Sequence, residues 1–384
     1  MRILLISHFY PPHIGGIETV VRQQAVSLGK SGHDVAVVAF AGDGERPGST
    51  AESGVTVSRV RAWNCLERRF GIPQPLGGLS LYTTLRRRVA GADVVHLNDV
   101  FYLGSWAGFL LARRHAKRIV LTQHVGLVEH PSRLVTAVQR LVYRTAGRRI
   151  FAGADAIVVY NANVAAFLRE QRVPPAKVTE LRNGVDLTRF RPATSAPERR
   201  DLRRRYGLPV DRPLALFVGR MVPKKGIAAL YEARSGAYDL VLVGGGEVPA
   251  AWYSTPGVHV LGAVPHEELP DLYRLADVFV FPAAGEIFTL AVQEAMASGL
   301  PIVTTNDDAY AGYGLDTERI ALVPPRPDEL RAAVEDITAD PRRSAEMGAY
   351  SLALAHERFD WEKNIGAIED VYAGVLAAEG APGC

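Results

Sequence analysis

Short apolar runs alternate with helical periodicities along almost the whole chain. Ile3–Ile6 is continuously apolar, which predicts a strand buried on both faces. A turn-rich loop, Tyr10–Gly16, follows, and Glu18–Lys30 then places Val20, Val21, Ala25 and Leu28 at helical spacing before Ser31-Gly32. The alternation predicts strands at Val35–Phe40, Thr56–Val60, Asp93–Leu97, Arg118–Thr122 and Ala156–Val159. Helices are expected at Leu79–Ala90, Leu103–Arg114 and, longest, Leu134–Ala152. The rhythm stops at Asn183-Gly184 and the polar, proline-punctuated stretch Arg189–Pro213. It restarts with Leu214–Gly219, Asp239–Val243, Val258–Leu261, Val278–Phe281, Pro301–Thr304 and Ile320–Val323, and three helical stretches fill Asp328–Tyr372. The pattern predicts an α/β protein of two Rossmann-like, doubly wound domains divided near residue 190. Ligands of such sheets bind beyond the carboxyl ends of the strands, so two domains facing each other would carry functional loops on both walls of a cleft.

Composition narrows the class. With 384 residues, 48% hydrophobic and 22% charged, the chain can bury two cores and is not disordered. Cys65 and Cys384 are the only thiols, which excludes a disulfide scaffold. The apolar start before His8 is too short for a signal peptide or a spanning helix, so a soluble, cytoplasmic protein is expected. The net charge of +3 hides an asymmetry: residues 1–190 hold 25 Lys+Arg against 13 Asp+Glu, and residues 191–384 hold 19 against 28. An anionic partner for the first half is one consequence.

Three stretches carry candidate chemistry. His13-Ile14-Gly15-Gly16-Ile17-Glu18 opens a helix with adjacent glycines, which suits close approach of backbone N–H groups to a phosphate and equally suits a tight strand–helix turn. Arg220 and Lys225 follow the first strand of the second half, where a planar fork and a mobile point charge fit a diphosphate; a solvated turn would use the same residues. In the segment 281–303, Glu286 precedes a helix and Glu294 lies within it. The N–H groups of Phe288, Thr289 and Leu290 are expected to form an anion cradle beside Glu286, which would otherwise only complement the helix dipole.

Motifs in order along the chain resemble those of the retaining GT-B glycosyltransferases, the large family that includes sucrose-phosphate-synthase-like and bacterial mannosyltransferase-type enzymes. They are YPPHIGGIET, TQHVG at 122–126, RNGVD at 182–186, VGRMVPKKG at 218–226, LVGGGE at 242–247, GAVPHEELPDLYRLADVFVFP at 262–282, the two glutamates eight apart, and FDWEKN at 359–364. The resemblance implies an acceptor-side domain at 1–190, a nucleotide-sugar-binding domain at 191–358 and a final helix, 359–384, crossing back to the first domain. It places Gly15 and Gly16 near the donor diphosphate or sugar, Arg220 and Lys225 on the diphosphate, Glu294 on the ribose and Glu286 on the transferred sugar. His124 would sit over that sugar, although a strand-end histidine bonding the backbone looks the same in sequence. Val264 falls where the backbone reads the base.

The same resemblance implies metal-independent, front-face retaining transfer to a hydroxyl acceptor. No cofactor is expected beyond the donor, UDP-linked first and GDP-linked second. No Asp-x-Asp occurs, and His124, Glu129 and His130 lack the spacing of a zinc helix motif. Ile287 and Thr289 depart from the small residues usual in the family and put the width of the sugar pocket in question. A nucleotide-sugar 2-epimerase and a non-catalytic nucleotide-sugar-binding partner are the rival readings. Arg133, Arg140, Arg144, Arg148 and Arg149 interleave with Leu134, Val138, Leu141, Val142 and Ile150. This suits peripheral contact with an anionic membrane, or a solvated basic face on a helix packed against the sheet. No nucleic-acid partner is expected.

Overall fold

The computed structural model describes residues 1–378 except 14, 43, 64, 66–74, 128–132, 284–285, 287, 308–309 and 311–312, and of 133–134 the backbone only. Expectations about Glu129, His130, Ile287 and the side chains of Arg133 and Leu134 lie outside the described residues. Two compact units divide the chain: residues 1–183 with 362 onward, and residues 184–361. The division precedes the expected 190 because Val185 and Phe190 are already buried in the second unit's core, and Val185 pairs with Asp360.

The first unit is built on β1 (Arg2–Ile6), α1 (Gly16–Lys30), β2 (Asp34–Phe40), β3 (Gly48–Glu52), β4 (Val55–Val60), the small hairpin β5 (Ala62–Trp63) and β6 (Leu76–Gly77), α2 (Leu79–Gly91), β7 (Val94–Asn98), α3 (Leu103–Arg114) and β8 (Arg118–Gln123). It continues with α4 (Arg133–Val142), α5 (Arg148–Gly153), β9 (Ala156–Val159), α6 (Ala162–Glu170) and β10 (Val178–Glu180). The sheet runs β10-β9-β8-β7-β1-β2-β4-β3, parallel except for the antiparallel edge β3, which no alternating apolar pattern announces. Val20, Val21, Ala25 and Leu28 lie on the buried stripe of α1, as their spacing predicts, and Glu18 and Gln24 are buried with them. The helix expected at 134–152 is divided by a π turn at Tyr143–Gly147. There Tyr143 turns inward, packs on Phe167 and donates its hydroxyl to the Gly126 carbonyl at 3.1 Å.

In the second unit α7 (Ala196–Arg205) precedes β11 (Leu214–Val218), α8 (Ile227–Glu232), β12 (Asp239–Val243), β13 (Val258–Gly262), α9 (Leu269–Leu275), β14 (Val278–Phe281), α10 (Leu290–Ala297), β15 (Ile302–Thr305), β16 (Ala321–Val323), α11 (Pro327–Ala339) and α12 (Pro341–Arg358). Its sheet is wholly parallel, β13-β12-β11-β14-β15-β16. Leu214–Val218, Asp239–Val243 and Val278–Phe281 are buried along their full lengths, so their near-continuous apolar runs follow from helices on both faces. α13 (Trp361–Ala377) ends the described chain, and from residue 362 it belongs to the first unit, where Tyr372 is fully buried. Among the described residues no helix is long and apolar enough to cross a membrane.

Both sheets reverse their strand order once, between β1 and β7 and between β11 and β14. A crevice opens at such a switch point, beyond the carboxyl ends of the strands. The loops after these four strands are therefore where ligand chemistry belongs.

Candidate active site

At the switch point of the first unit, β1 delivers His8 and β7 delivers Asn98 and Asp99. Gly15 is the N-cap of α1, in extended backbone, and offers no side-chain cap. Glu18, at the third helical position, folds back over it: a Cβ at Gly15 would fall 2.1 Å from Glu18 Oε2. Glu18 is 3% exposed, and its Oε1 lies 2.9 Å from His13 Nδ1 and 3.3 Å from His8 Nε2. Burial alone would raise this carboxyl; hydrogen bonds from His13 and His8 outweigh it and hold the group well below the usual carboxylate range. The carboxylate thus lies over Gly15, whereas a Cβ at Gly16 would meet open space. The signal was legible, since a glutamate three residues after an N-cap is the acidic half of a capping box.

Deeper in the same unit, His124 Nε2 lies 3.0 Å from Asn98 Oδ1, while Asn98 Nδ2 donates to the Ile6 carbonyl at 3.2 Å. Asn98 is therefore oriented as an acceptor, and His124 carries its proton on Nε2. Desolvation pushes His124 down to about 3, so it acts as a neutral hydrogen-bonding ring and not as a cation. Asp99 is fully buried at φ +65°, with Oδ1 accepting from Phe101 N at 3.0 Å and no partner for Oδ2 among the described residues. Burial pushes its carboxyl up. His8 stacks on Tyr102 with ring centroids 3.9 Å apart. His8, Asp99 and Tyr102 did not stand out in the sequence, because only the sheet brings β1 and β7 side by side.

At the switch point of the second unit the loops after β11 and β14 meet. Gly226 has φ +71°, and a Cβ there would lie 2.3 Å from the Pro282 carbonyl oxygen, so only glycine lets the two loops touch. That contact sets Lys225 beside Glu286, with which it forms a hydrogen-bonded ion pair; Lys224 Nζ is 3.8 Å from the same carboxylate. Lys225 Nζ also lies 5.0 Å from the centre of the Phe281 ring. Arg220 is exposed and makes no ion pair among the described residues. Lys225 and Glu286, expected on phosphate and sugar, neutralise each other here.

Thr289 is the N-cap of α10, and its Oγ1 is buried with no partner among the described residues. Leu290 opens the helix, so its N–H has no intrahelical acceptor. Phe288 differs from the open cradle expected. It is 7% exposed, at φ +43°, packed on Tyr310, Tyr313 and Phe359, and its N–H faces the Tyr310 hydroxyl at 3.5 Å. Its aromatic ring belongs to the core, which takes its backbone out of solvent. Glu294, one turn into α10, accepts from the Tyr273 hydroxyl at 2.8 Å and faces His266 Nε2 at 3.3 Å. His266 stands in the loop after β13 two residues beyond Val264, which is half-buried against the core.

Comparison with known proteins covers both units. The family described as Glycosyltransferase Family 4 matches residues 14–189, and that described as Glycosyl transferases group 1 matches residues 198–353. The GDP-mannose-dependent alpha-(1-6)-phosphatidylinositol monomannoside mannosyltransferase of Mycolicibacterium smegmatis is 30% identical over 403 residues, covering 97% of this chain and 98% of its own. Sucrose-phosphate synthase from Thermosynechococcus elongatus superposes with a TM-score of 0.76 at 24% identity, over 98% of this chain and 99% of its own. HepE of Anabaena, solved with UDP and glucose, gives a TM-score of 0.76 at 17% identity, over 97% and 99%. The architecture is the GT-B fold.

Proposed function

The chain belongs to the nucleotide-sugar-dependent GT-B glycosyltransferases that join a family 4 domain to a group 1 domain, and we propose that it transfers a hexose with retention to an acceptor hydroxyl. The observation that carries this reading is the Lys225–Glu286 pair at the switch point of the second unit, beside the mouth of α10. A phosphate entering there takes over Lys225 and meets the helix N-terminus, and the sugar hydroxyls next to it take over Glu286. Arg220 adds a second cation from the same loop.

In the step we propose, the bond between the anomeric carbon and the phosphate oxygen breaks and its electron pair stays on the diphosphate. The acceptor oxygen bonds the carbon on the same face, and its proton passes to the departing phosphate. Lys225, Arg220 and α10 stabilise the charge that develops. This reading needs no metal or other cofactor. His124, a neutral donor to Asn98 through Nε2, would serve by hydrogen bonding in the first unit.

For the donor, the relative's name weighs towards GDP-mannose and reverses the UDP-first order expected from the sequence. HepE, at 17% identity, speaks only for the fold. The acceptor we propose lies on an anionic lipid surface, as the basic face of α4 and α5 suggests. The deciding experiment is calorimetric titration with GDP-mannose and with UDP-sugars, followed by NMR of the product's anomeric centre. Binding of GDP-mannose and a product with the donor's anomeric configuration support the proposal. Isomerised sugar without acceptor would favour the epimerase, and an inverted product would overturn retention.

A further inference from the structure

Glu286 and Glu294 are held in opposite ways. Glu286 sits against two lysines, whereas Glu294 faces no lysine or arginine among the described residues. Its side chain is 5% exposed, Oε2 receives the Tyr273 hydroxyl, and Oε1 faces His266. A carboxylate offers about four acceptor positions, so two remain. With no lysine or arginine beside it, this carboxylate suits a pair of hydroxyl donors better than a phosphate.

We infer that His266 and Tyr273 are positioning residues that turn the remaining acceptor positions of Glu294 towards the vicinal diol of the donor's ribose. The inference rests on the reading of Glu294 as the ribose-binding carboxylate. Tyr273 is fully buried on α9 and wedged between Phe190 and Phe279, with ring centroids 5.7 Å away in both cases, so its hydroxyl has one direction available. Burial, and the charge of Glu294, push this phenol far up, which keeps it a donor at any working pH. His266 is held from the other side: its carbonyl accepts from Arg189 Nη2 at 3.3 Å and its ring lies 6.0 Å from that of Phe190. The loop that carries Val264 is thereby joined to the carboxylate on α10, and base and ribose would be read by one connected unit.

The test is calorimetric binding of GDP and UDP, each against its 2′,3′-dideoxy counterpart, to wild type, E294Q, Y273F, H266A and H266Q. We expect E294Q, Y273F and H266A each to lose about tenfold in affinity for the ribonucleotide, the effect of one hydrogen bond to a charged group. None should lose affinity for the dideoxy nucleotide, and H266Q, which retains a donor, should recover most of what H266A loses. Equal losses of Y273F and H266A on both nucleotides would mean that they support only the fold, which overturns the inference. No loss in H266A or Y273F overturns it as well. If E294Q itself fails to distinguish the two nucleotides, or wild type binds neither, the reading of Glu294 beneath it fails instead.

Discussion

Residue identity made some of this protein's chemistry visible and hid the rest. Arg220, Lys225 and Glu286 stand out because they follow apolar strands, where such sheets bind ligands, and Glu294 because of its spacing from Glu286. The partner each takes is a matter of geometry: Lys225 takes Glu286, and Glu294 takes Tyr273 and His266. Buried histidines were less legible. His96 is fully buried, with Nδ1 2.6 Å from the Tyr372 hydroxyl and Nε2 2.7 Å from Thr122 Oγ1, and desolvation pushes it down to about 3. The unfolded chain protonates this ring near 6.5 and the folded one does not, so the unfolded state binds more protons between about pH 6.5 and 3. Stability therefore falls as pH drops through that window, by about 1.4 kcal/mol per pH unit for one such group. Urea midpoints at pH 7 and pH 5 should show about 2 kcal/mol less acid loss in H96Q than in wild type. An unchanged loss would show that the ring is charged in the fold. Glu18 adds to the same trend at lower pH: its depressed carboxyl contributes stability above the ordinary carboxylate range that is lost in stronger acid.

Elements were legible where their period was strong. The apolar runs of β1, β11, β12 and β14 and the stripe of α1 coincide with the structure to within two residues. The edge strand β3, the two-residue strands β5 and β6, and the short β10 carry too few buried positions to be read. The π turn at 143–147 was not read from the sequence, and the Gly126 carbonyl that Tyr143 reaches there lies outside the helix. The loops that place the site depend on backbone contact that sequence period does not report. Gly226 is the clearest case, combining φ +71° with close approach to the Pro282 carbonyl. G226A should cost at least about 2 kcal/mol in urea unfolding, since a strained conformation and a clash with backbone add. It should also weaken donor binding by displacing Lys225. Unchanged stability would show that the loop has room to move.

Across the whole molecule, the charge asymmetry acquires a place. α2, α3 and the stretch 133–153 contain ten arginines and no aspartate or glutamate. α2 packs on α3, and Gly153 lies against Phe109 of α3, so the three helical stretches share one face of the first sheet. Tyr82, Leu110, Val138 and Leu141 are exposed on them, at 47%, 67%, 47% and 61%. A basic surface with protruding apolar side chains suits an anionic bilayer, where each arginine near the surface contributes about 1 kcal/mol. The protein should float with vesicles containing anionic lipid and not with neutral ones, and R140E/R144E/R149E should abolish it. Flotation unaffected by these changes would assign the contact elsewhere, and none at all would leave the acceptor a soluble molecule. Sequence alone determined the two α/β units and offered Arg220, Lys225, Glu286 and Glu294 as candidates near the strand ends where such sheets bind ligands. These follow from local period and residue type, which neighbours along the chain decide. Tertiary structure alone decided that Lys225 meets Glu286, that Glu294 meets Tyr273 and His266, and that three arginine-bearing helical stretches share one face of the first sheet. Each of these depends on which strands lie side by side at a switch point, and parallel strands find their neighbours through crossovers of dozens of residues.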